Sequence, residues 1–266
     1  MQNKKILLIT YYWPPAGGSG VQRWLYFANN LAEMGYDVSV ITSKSKNYQL
    51  FDQELENYVS SKIKVIKISS FEPAKFFKSN NSNSDNINSN GLFNKIKLFI
   101  RANFFFPDSR KFWINKVVKT SIKYINLNEI DYLITSSPPF SLNIIGYKIK
   151  SKTNIKWISD CRDPWSDFFQ FRIMPMSNYI FNKHSKWEEI CLKSADSVIV
   201  TSPSLRNAYS KVNSNTYLIN NGFEKYNEVN NSGLFNIVYS GVMKSSQNPM
   251  MLWKVLADLY KSNESF

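Results

Sequence analysis

Three charged side chains crowd the end of an apolar run in Asp160-Cys161-Arg162-Asp163-Pro164-Trp165. Charges in such a setting need partners, and two arrangements would serve. Asp160 and Arg162 can pair as a structural salt bridge. Alternatively, Asp160 or Asp163 accepts from a sugar hydroxyl, Arg162 clamps a phosphate through its forked guanidinium, and Trp165 offers a stacking face to a sugar ring. Cys161 has no adjacent base to activate it and does not read as a nucleophile.

A second candidate lies near the start, where Gly17, Gly18 and Gly20 close the run Tyr11-Tyr12-Trp13-Pro14-Pro15-Ala16-Gly17-Gly18-Ser19-Gly20 ahead of a helical pattern over 21–34. Glycines let backbone approach a ligand closely, and the following helix N-terminus offers free N–H groups and a positive dipole end to a phosphate. The spacing is neither Gly-x-Gly-x-x-Gly nor Walker A, and no acidic residue closes the second apolar run, so a nicotinamide dinucleotide or P-loop site is a poor fit. A plain turn is the alternative. The third candidate is Ser136-Ser137-Pro138-Pro139-Phe140-Ser141, in which Ser137 and Pro138 line a ligand or Ser141 merely caps the next helix.

These loops need a scaffold that brings them together. Apolar runs at 6–11, 38–42, 65–68, 132–135, 156–159, 197–200, 217–219 and 236–239 alternate with helical patterns at 21–34, 141–151 and 178–193. Several of the runs lack polar alternation, as strands covered on both faces do. The alternation predicts βαβ units in an α/β, Rossmann-like, doubly wound parallel sheet, where ligands bind beyond the carboxyl ends of the strands. Residues 79–90 are Asn/Ser-rich and read as a loop. A break at 220–233 reads as a linker before a last strand at 235–240 and a helix at 249–260.

Composition narrows the function classes. The chain of 266 residues is 43% hydrophobic and 15% aromatic, enough for a core. Its two cysteines cannot form a disulfide framework, and a single histidine, His184, argues against a His-rich metal site and a Ser-His-Asp triad. The net charge of +13 points to anionic partners. Much of that charge lies over 92–125, where Lys95, Lys97, Arg101, Arg110, Lys111, Lys116, Lys119 and Lys123 interleave with aromatics. This segment reads either as two surface helices with aromatics entering the core or as a patch resting on an anionic membrane. No base-reading module is visible, so nucleic acid is not an expected partner. The apolar runs are too short for a signal peptide or a membrane span.

Taken in order, these segments resemble the bacterial glycosyltransferases of family four. The run from Lys5 to Arg23 resembles that family's opening, and Pro107-Asp108-Ser109-Arg110-Lys111-Phe112-Trp113 and Arg162-Asp163-Pro164-Trp165 resemble later landmarks. So do Val200-Thr201-Ser202-Pro203-Ser204, Asn220-Asn221-Gly222-Phe223-Glu224 and Val238-Tyr239-Ser240-Gly241. The resemblance implies the GT-B fold, in which two Rossmann-like domains face each other across a cleft. Residues 1–220 would be the acceptor-side domain, 221–233 the linker and 234–266 the incomplete start of the donor-binding domain. Asn221, Gly222, Glu224 and Gly241 would border the cleft.

The resemblance further implies retaining transfer from a nucleotide-sugar co-substrate, with no other cofactor and no metal, to a glycan or lipid-linked acceptor of a capsule, lipopolysaccharide or other envelope polysaccharide. The two cysteines fit a reducing cytosol, where the protein is expected either free or peripheral on the inner face of the cytoplasmic membrane. The family's catalytic Arg/Lys and Glu positions would fall beyond Phe266, and Lys244 stands too early to match them. The chain alone is then expected to be inactive. The competing expectation is a non-catalytic glycan- or membrane-binding module, or a degenerate protein without its donor half. A nucleotide-sugar 2-epimerase lacks matching motifs.

Overall fold

The computed structural model describes residues 4–44, 48, 50–71, 92–222, 236–241, 243 and 248–262. The expected loop at 79–90 and the positions Glu224 and Lys244 lie outside the described residues, as does all of the expected linker after Gly222.

The described residues fall into two compact units. The first is built on seven strands: β1 (Lys5–Ile9), β2 (Asp37–Ser43), β3 (Lys64–Ile68), β4 (Tyr132–Ser137), β5 (Lys156–Cys161), β6 (Ser197–Val200) and β7 (Thr216–Leu218). All pair in parallel, in the order β3-β2-β1-β4-β5-β6-β7. This is the Rossmann-like α/β sheet that the apolar runs predict.

The lack of polar alternation has a direct cause. In β1, Leu7 and Ile9 enter one core and Ile6 and Leu8 the other, so both faces are covered. On the first face Leu133, Trp157, Val198 and Val200 meet α4 (Lys111–Asn128), α5 (Ser141–Thr153), α7 (Asn178–Ser194) and α8 (Pro203–Tyr209). On the second, Val38, Val40 and Ile134 meet α1 (Ser19–Glu33) through Val21, Trp24, Leu25 and Ala28, an i, i+3, i+4, i+7 stripe. Short helices α2 (Glu54–Asn57) and α6 (Phe169–Ile173) and the longer α3 (Leu92–Phe104) complete this unit. Gly146 lets α5 lie directly on β5, because a Cβ there would stand 2.2 Å from the Trp157 ring.

Helix ends follow local chemistry with one departure. Ser177 and Ser202 cap α7 and α8, accepting from the Ile180 and Leu205 amides. Ser141, the expected cap of α5, instead sits inside the helix, and its amide donates to Asp108 Oδ2 at 2.8 Å. A carboxylate at a helix N-terminus is favoured by the helix dipole as well as by the hydrogen bond, so the distant Asp108 supplants the local hydroxyl.

The second unit contains α9 (Met250–Ser262) among its described residues. The strand expected near 236–239 is not formed: no ladder includes 236–241. A strand exists only where a neighbour completes its hydrogen bonds, and an apolar run alone does not supply one.

Candidate anion site at the carboxyl edge of the sheet

The crossovers run one way from β1 to β2 and β3, and the other way from β4 to β5, β6 and β7. The topological switch therefore falls between β1 and β4, where open parallel sheets form a crevice. The glycine loop after β1 and the Ser136–Ser141 loop after β4 flank that point, and the β5–α6 loop adjoins them.

At its base is a buried ion pair that the local spacing did not reveal. Asp160, fully buried at the end of β5, accepts from Arg23 Nη2 at 2.9 Å and Arg23 Nε at 3.3 Å. It also accepts from Trp24 Nε1 at 2.6 Å and from Ser136 Oγ at 2.7 Å. Arg23 spends its remaining nitrogen, Nη1, on Asn221 Oδ1 at 3.0 Å and the Asn220 carbonyl at 3.2 Å. One guanidinium thus ties α1, the end of β5 and the segment after β7 into a closed network. This corrects both readings of Asp160: its partner is Arg23, not Arg162, and its oxygens are engaged by protein donors and turned away from any sugar hydroxyl.

Arg162 is placed differently. Its Nε and Nη2 donate to the Ser137 and Pro138 carbonyls at 3.3 and 2.6 Å, and its backbone amide donates to Ser137 at 3.0 Å. The Ser137 side chain is itself buried. Arg162 joins none of the ion pairs among the described residues. Burial lowers its pKa, while Asp160 and Asp163 act in the opposite sense. Its guanidinium reaches the first turn of α1: a Cβ on Gly20 would lie 2.6 Å from Nη1.

Behind Gly20, Gly18 is the N-cap of α1 with φ +96°, a backbone that disfavours any side chain. Gly17 is pinned by its amide on the Leu50 carbonyl at 2.9 Å. The glycine loop, the first turn of α1 and a cation that joins no ion pair among the described residues are therefore together. Asp163 is half-buried beside Arg162, and burial raises its pKa.

Trp165 is not a sugar platform. It is buried, stacks on Phe140 at 5.5 Å and 5°, and donates from Nε1 to His184 Nδ1 at 2.9 Å. Its amide and that of Ser166 donate to buried Glu188 at 2.9 and 3.0 Å. The lone histidine is consequently a core acceptor, with its pKa lowered to about 4 by burial and then by Lys183. Burial pushes the Cys161 thiol up to about 12, consistent with an inert cysteine.

Asn221 takes part through Arg23, whereas Gly222 is exposed and Gly241, with φ +139°, belongs to the second unit. The basic segment divides. Arg110 turns inward, 5.0 Å over the Tyr11 ring and 3.4 Å from the Tyr12 hydroxyl, and so leaves the proposed surface patch. Lys95 and Arg101 are exposed, Lys97 is half-buried, and Lys111 donates to the Phe104 carbonyl at 2.6 Å. Among the described residues no group of His, Cys, Asp and Glu could hold a metal ion, and no helix is long and apolar enough to cross a membrane.

Arg23, Trp24 and Glu188 were missed as site residues from sequence. A signal existed for two of them. Arg23 sits on α1 beside Val21, Trp24 and Leu25, and Glu188 shares one stripe of α7 with Ile180, His184, Cys191 and Leu192. A charge amid a buried stripe requires a buried partner.

No protein-family model and no curated protein matches the chain. Solved structures do resemble it. The sucrose-phosphate synthase of Thermosynechococcus elongatus is 17% identical with a TM-score of 0.49, over 82% of this chain and 48% of that one. A glycosyltransferase from Rickettsia africae is 16% identical with a TM-score of 0.44, over 83% and 43%. Acinetobacter baumannii MurG is 13% identical with a TM-score of 0.42, over 84% and 47%. The chain spans about half the length of these structures.

Proposed function

We propose that the chain is the acceptor-side part of a GT-B glycosyltransferase of the family-four kind. It would work in the cytoplasm and move a sugar from a nucleotide-sugar donor to a glycan or lipid-linked acceptor in envelope polysaccharide synthesis. Residues 1–220 form its acceptor-side domain, 221–233 the linker and 234–266 the opening of the donor domain. The observation that carries this reading is the meeting of Arg162 with the first turn of α1 at the switch point. A guanidinium that joins no ion pair among the described residues, beside a glycine-lined helix N-terminus, suits a phosphate oxygen.

In this reading the chemistry is charge stabilisation. As the anomeric carbon becomes cationic, the departing diphosphate gathers negative charge, and Arg162 with the α1 amides is aimed at it. The network of Arg23, Asp160 and Asn221 fixes the strand ends but touches no substrate. The reading includes retention of configuration, a metal-independent step, and donor contacts supplied by groups outside this chain. This chain alone would then bind donor weakly and turn over poorly.

The test is titration calorimetry with nucleoside diphosphates, comparing the chain with Gly20→Ala and Arg162→Ala. The alanine at position 20 displaces only the flexible end of Arg162 and favours the helix, so the fold should be unchanged. Losing one charge-assisted contact should weaken binding about tenfold in each variant. Binding unchanged in both, or no binding at millimolar nucleotide, would remove the anion site from the mechanism.

A further inference from the structure

Glu188 is a buried carboxylate that joins no ion pair among the described residues. A buried charge is tolerated only when hydrogen bonds replace its water, and four donors do so here. Oε1 accepts from the Trp165 amide at 2.9 Å and from the Tyr209 hydroxyl. Oε2 accepts from the Ser166 amide at 3.0 Å and from the Ser166 hydroxyl. The Trp165 amide also lies 3.1 Å from the Tyr209 hydroxyl, which closes the group. Every donor is neutral, so dipoles alone balance the charge. Two successive backbone amides aimed at one anion fix the local turn, because another turn would leave the carboxylate buried and short of donors.

That turn bears on where Arg162 stands. Only Asp163 and Pro164 separate Arg162 from Trp165, and the proline ring fixes its own φ. The Arg162 carbonyl accepts from Thr201 Oγ1 at 2.8 Å, and its amide donates to the Ser137 carbonyl at 3.0 Å. At the far end of the turn, the Trp165 ring stacks on Phe140 at 5.5 Å. Phe140 belongs to the loop after β4, and in that loop the Pro138 carbonyl takes Arg162 Nη2 at 2.6 Å. The chain of contact is continuous. Glu188 holds Trp165, Trp165 packs on the loop after β4, and that loop aims Arg162 at the first turn of α1.

We infer that Glu188 is a positioning residue of the anion site: it touches no ligand, and it acts through the Trp165–Ser166 turn to hold Arg162 in its binding position. This deepens the reading of Arg162 as an anion ligand and rests on it. A residue that only stabilised the fold would lower the melting temperature without acting through Arg162, and the two roles separate by experiment.

The first test is calorimetric titration of the 266-residue chain with inorganic pyrophosphate. Glu188→Gln keeps the shape of the side chain but turns an N–H₂ group toward one pair of donors. Binding should weaken about tenfold. Placed on Arg162→Ala, the same substitution should change binding by less than about twofold, because its effect passes through the missing guanidinium. An affinity unchanged by Glu188→Gln, or an equal loss in both backgrounds, overturns the inference. The second test needs neither ligand nor variant: hydrogen exchange followed by nuclear magnetic resonance. In the parent chain the Trp165 and Ser166 amides and Arg162 Nε should lose protection together as urea is added, since they open as one unit. In Glu188→Gln all three should exchange about tenfold faster while the β1 amides keep their protection. An Arg162 Nε that opens independently of the two amides in the parent overturns the inference, whether or not the variant folds. If the parent binds no pyrophosphate, the anion site and its positioning residue fall together. Pyrophosphate binding without nucleoside diphosphate binding would leave the role of Glu188 standing and remove the transferase reading.

Discussion

Asp160 was legible as a site residue but not in its role. A carboxylate closing an apolar strand must meet a donor, and the nearest in sequence is Arg162. The end of the strand decides otherwise. The pleat alone would leave residues 160 and 162 on one face, but β5 stops at Cys161: Asp160 faces α1, where Arg23 and Trp24 stand, while Arg162 lies beyond the strand's end against the Ser137 and Pro138 carbonyls. Trp165 was misread for a similar reason: an aromatic after a strand looks the same in sequence whether it faces a ligand or the core. The corrected pairing gives a prediction. Asp160→Asn leaves Arg23 charged, buried and without its carboxylate, a change worth about 3–5 kcal/mol. Adding Arg23→Met to Asp160→Asn removes that stranded charge while Trp24 and Ser136 keep an amide acceptor. Urea melts should show the double variant recovering about half of the loss, a strong non-additivity between touching residues. A single variant within about 1 kcal/mol of the parent would mean that the pair does not hold the strand ends.

At the scale of elements, the strands were read well because parallel strands covered on both faces leave continuous apolar runs, and β1, buried from Ile6 to Ile9, is such a run. Strands β4 and β5 run further than expected, since Ser136 pairs with Asp160 and Ser137 with Cys161 in register; polar residues stay in a ladder when their side chains find partners. The failure at 236–239 is the converse, a good strand composition that joins no ladder among the described residues. Helix α7 shows what one stripe can carry: Ile180, His184, Glu188, Cys191 and Leu192 all face inward, and two of them organise the 163–166 loop. This makes the loop pH-sensitive. The folded-state pKa of His184 is depressed to about 4 from 6.5. The unfolded chain therefore takes up this proton first, and the contribution is intact above pH 6.5 and lost as pH falls from 6.5 to about 4. It amounts to at most about 3 kcal/mol. Burial raises the Asp108 and Asp163 pKa values, which acts in the opposite sense, so the parent's melting curve alone does not isolate the histidine. The difference from His184→Asn does, because asparagine keeps an acceptor near Trp165 Nε1 but does not titrate. The variant should be less stable at pH 7, and the gap should narrow between pH 6.5 and 4. A gap constant over that range would show that His184 does not carry the effect.

For the whole molecule, every described residue of the two hydrophobic cores lies between Ile6 and Leu218. The sheet unit therefore contains its own stabilising interior, whereas α9 has no buried residue. The sheet unit is closed by a few hydrogen bonds just past β7. The Ile219 amide donates to the Val200 carbonyl at 2.9 Å, and Asn220 and Asn221 supply both acceptors of Arg23 Nη1. Two truncations separate these contributions. A chain ending at Gly222 keeps all of these contacts and should melt within about 2 °C of the full chain. A chain ending at Leu218 loses the Ile219 bond to Val200 and strips Arg23 of two acceptors. Losing hydrogen bonds to a buried charged group costs about 1.5–3 kcal/mol, or roughly 4–10 °C for a unit of this size. Calorimetric melts of the two truncations decide the matter. Equal melting temperatures would show that Asn220 and Asn221 are bystanders to the sheet. A large drop in the Gly222 truncation would move the stabilising boundary beyond it and make the two units one cooperative body.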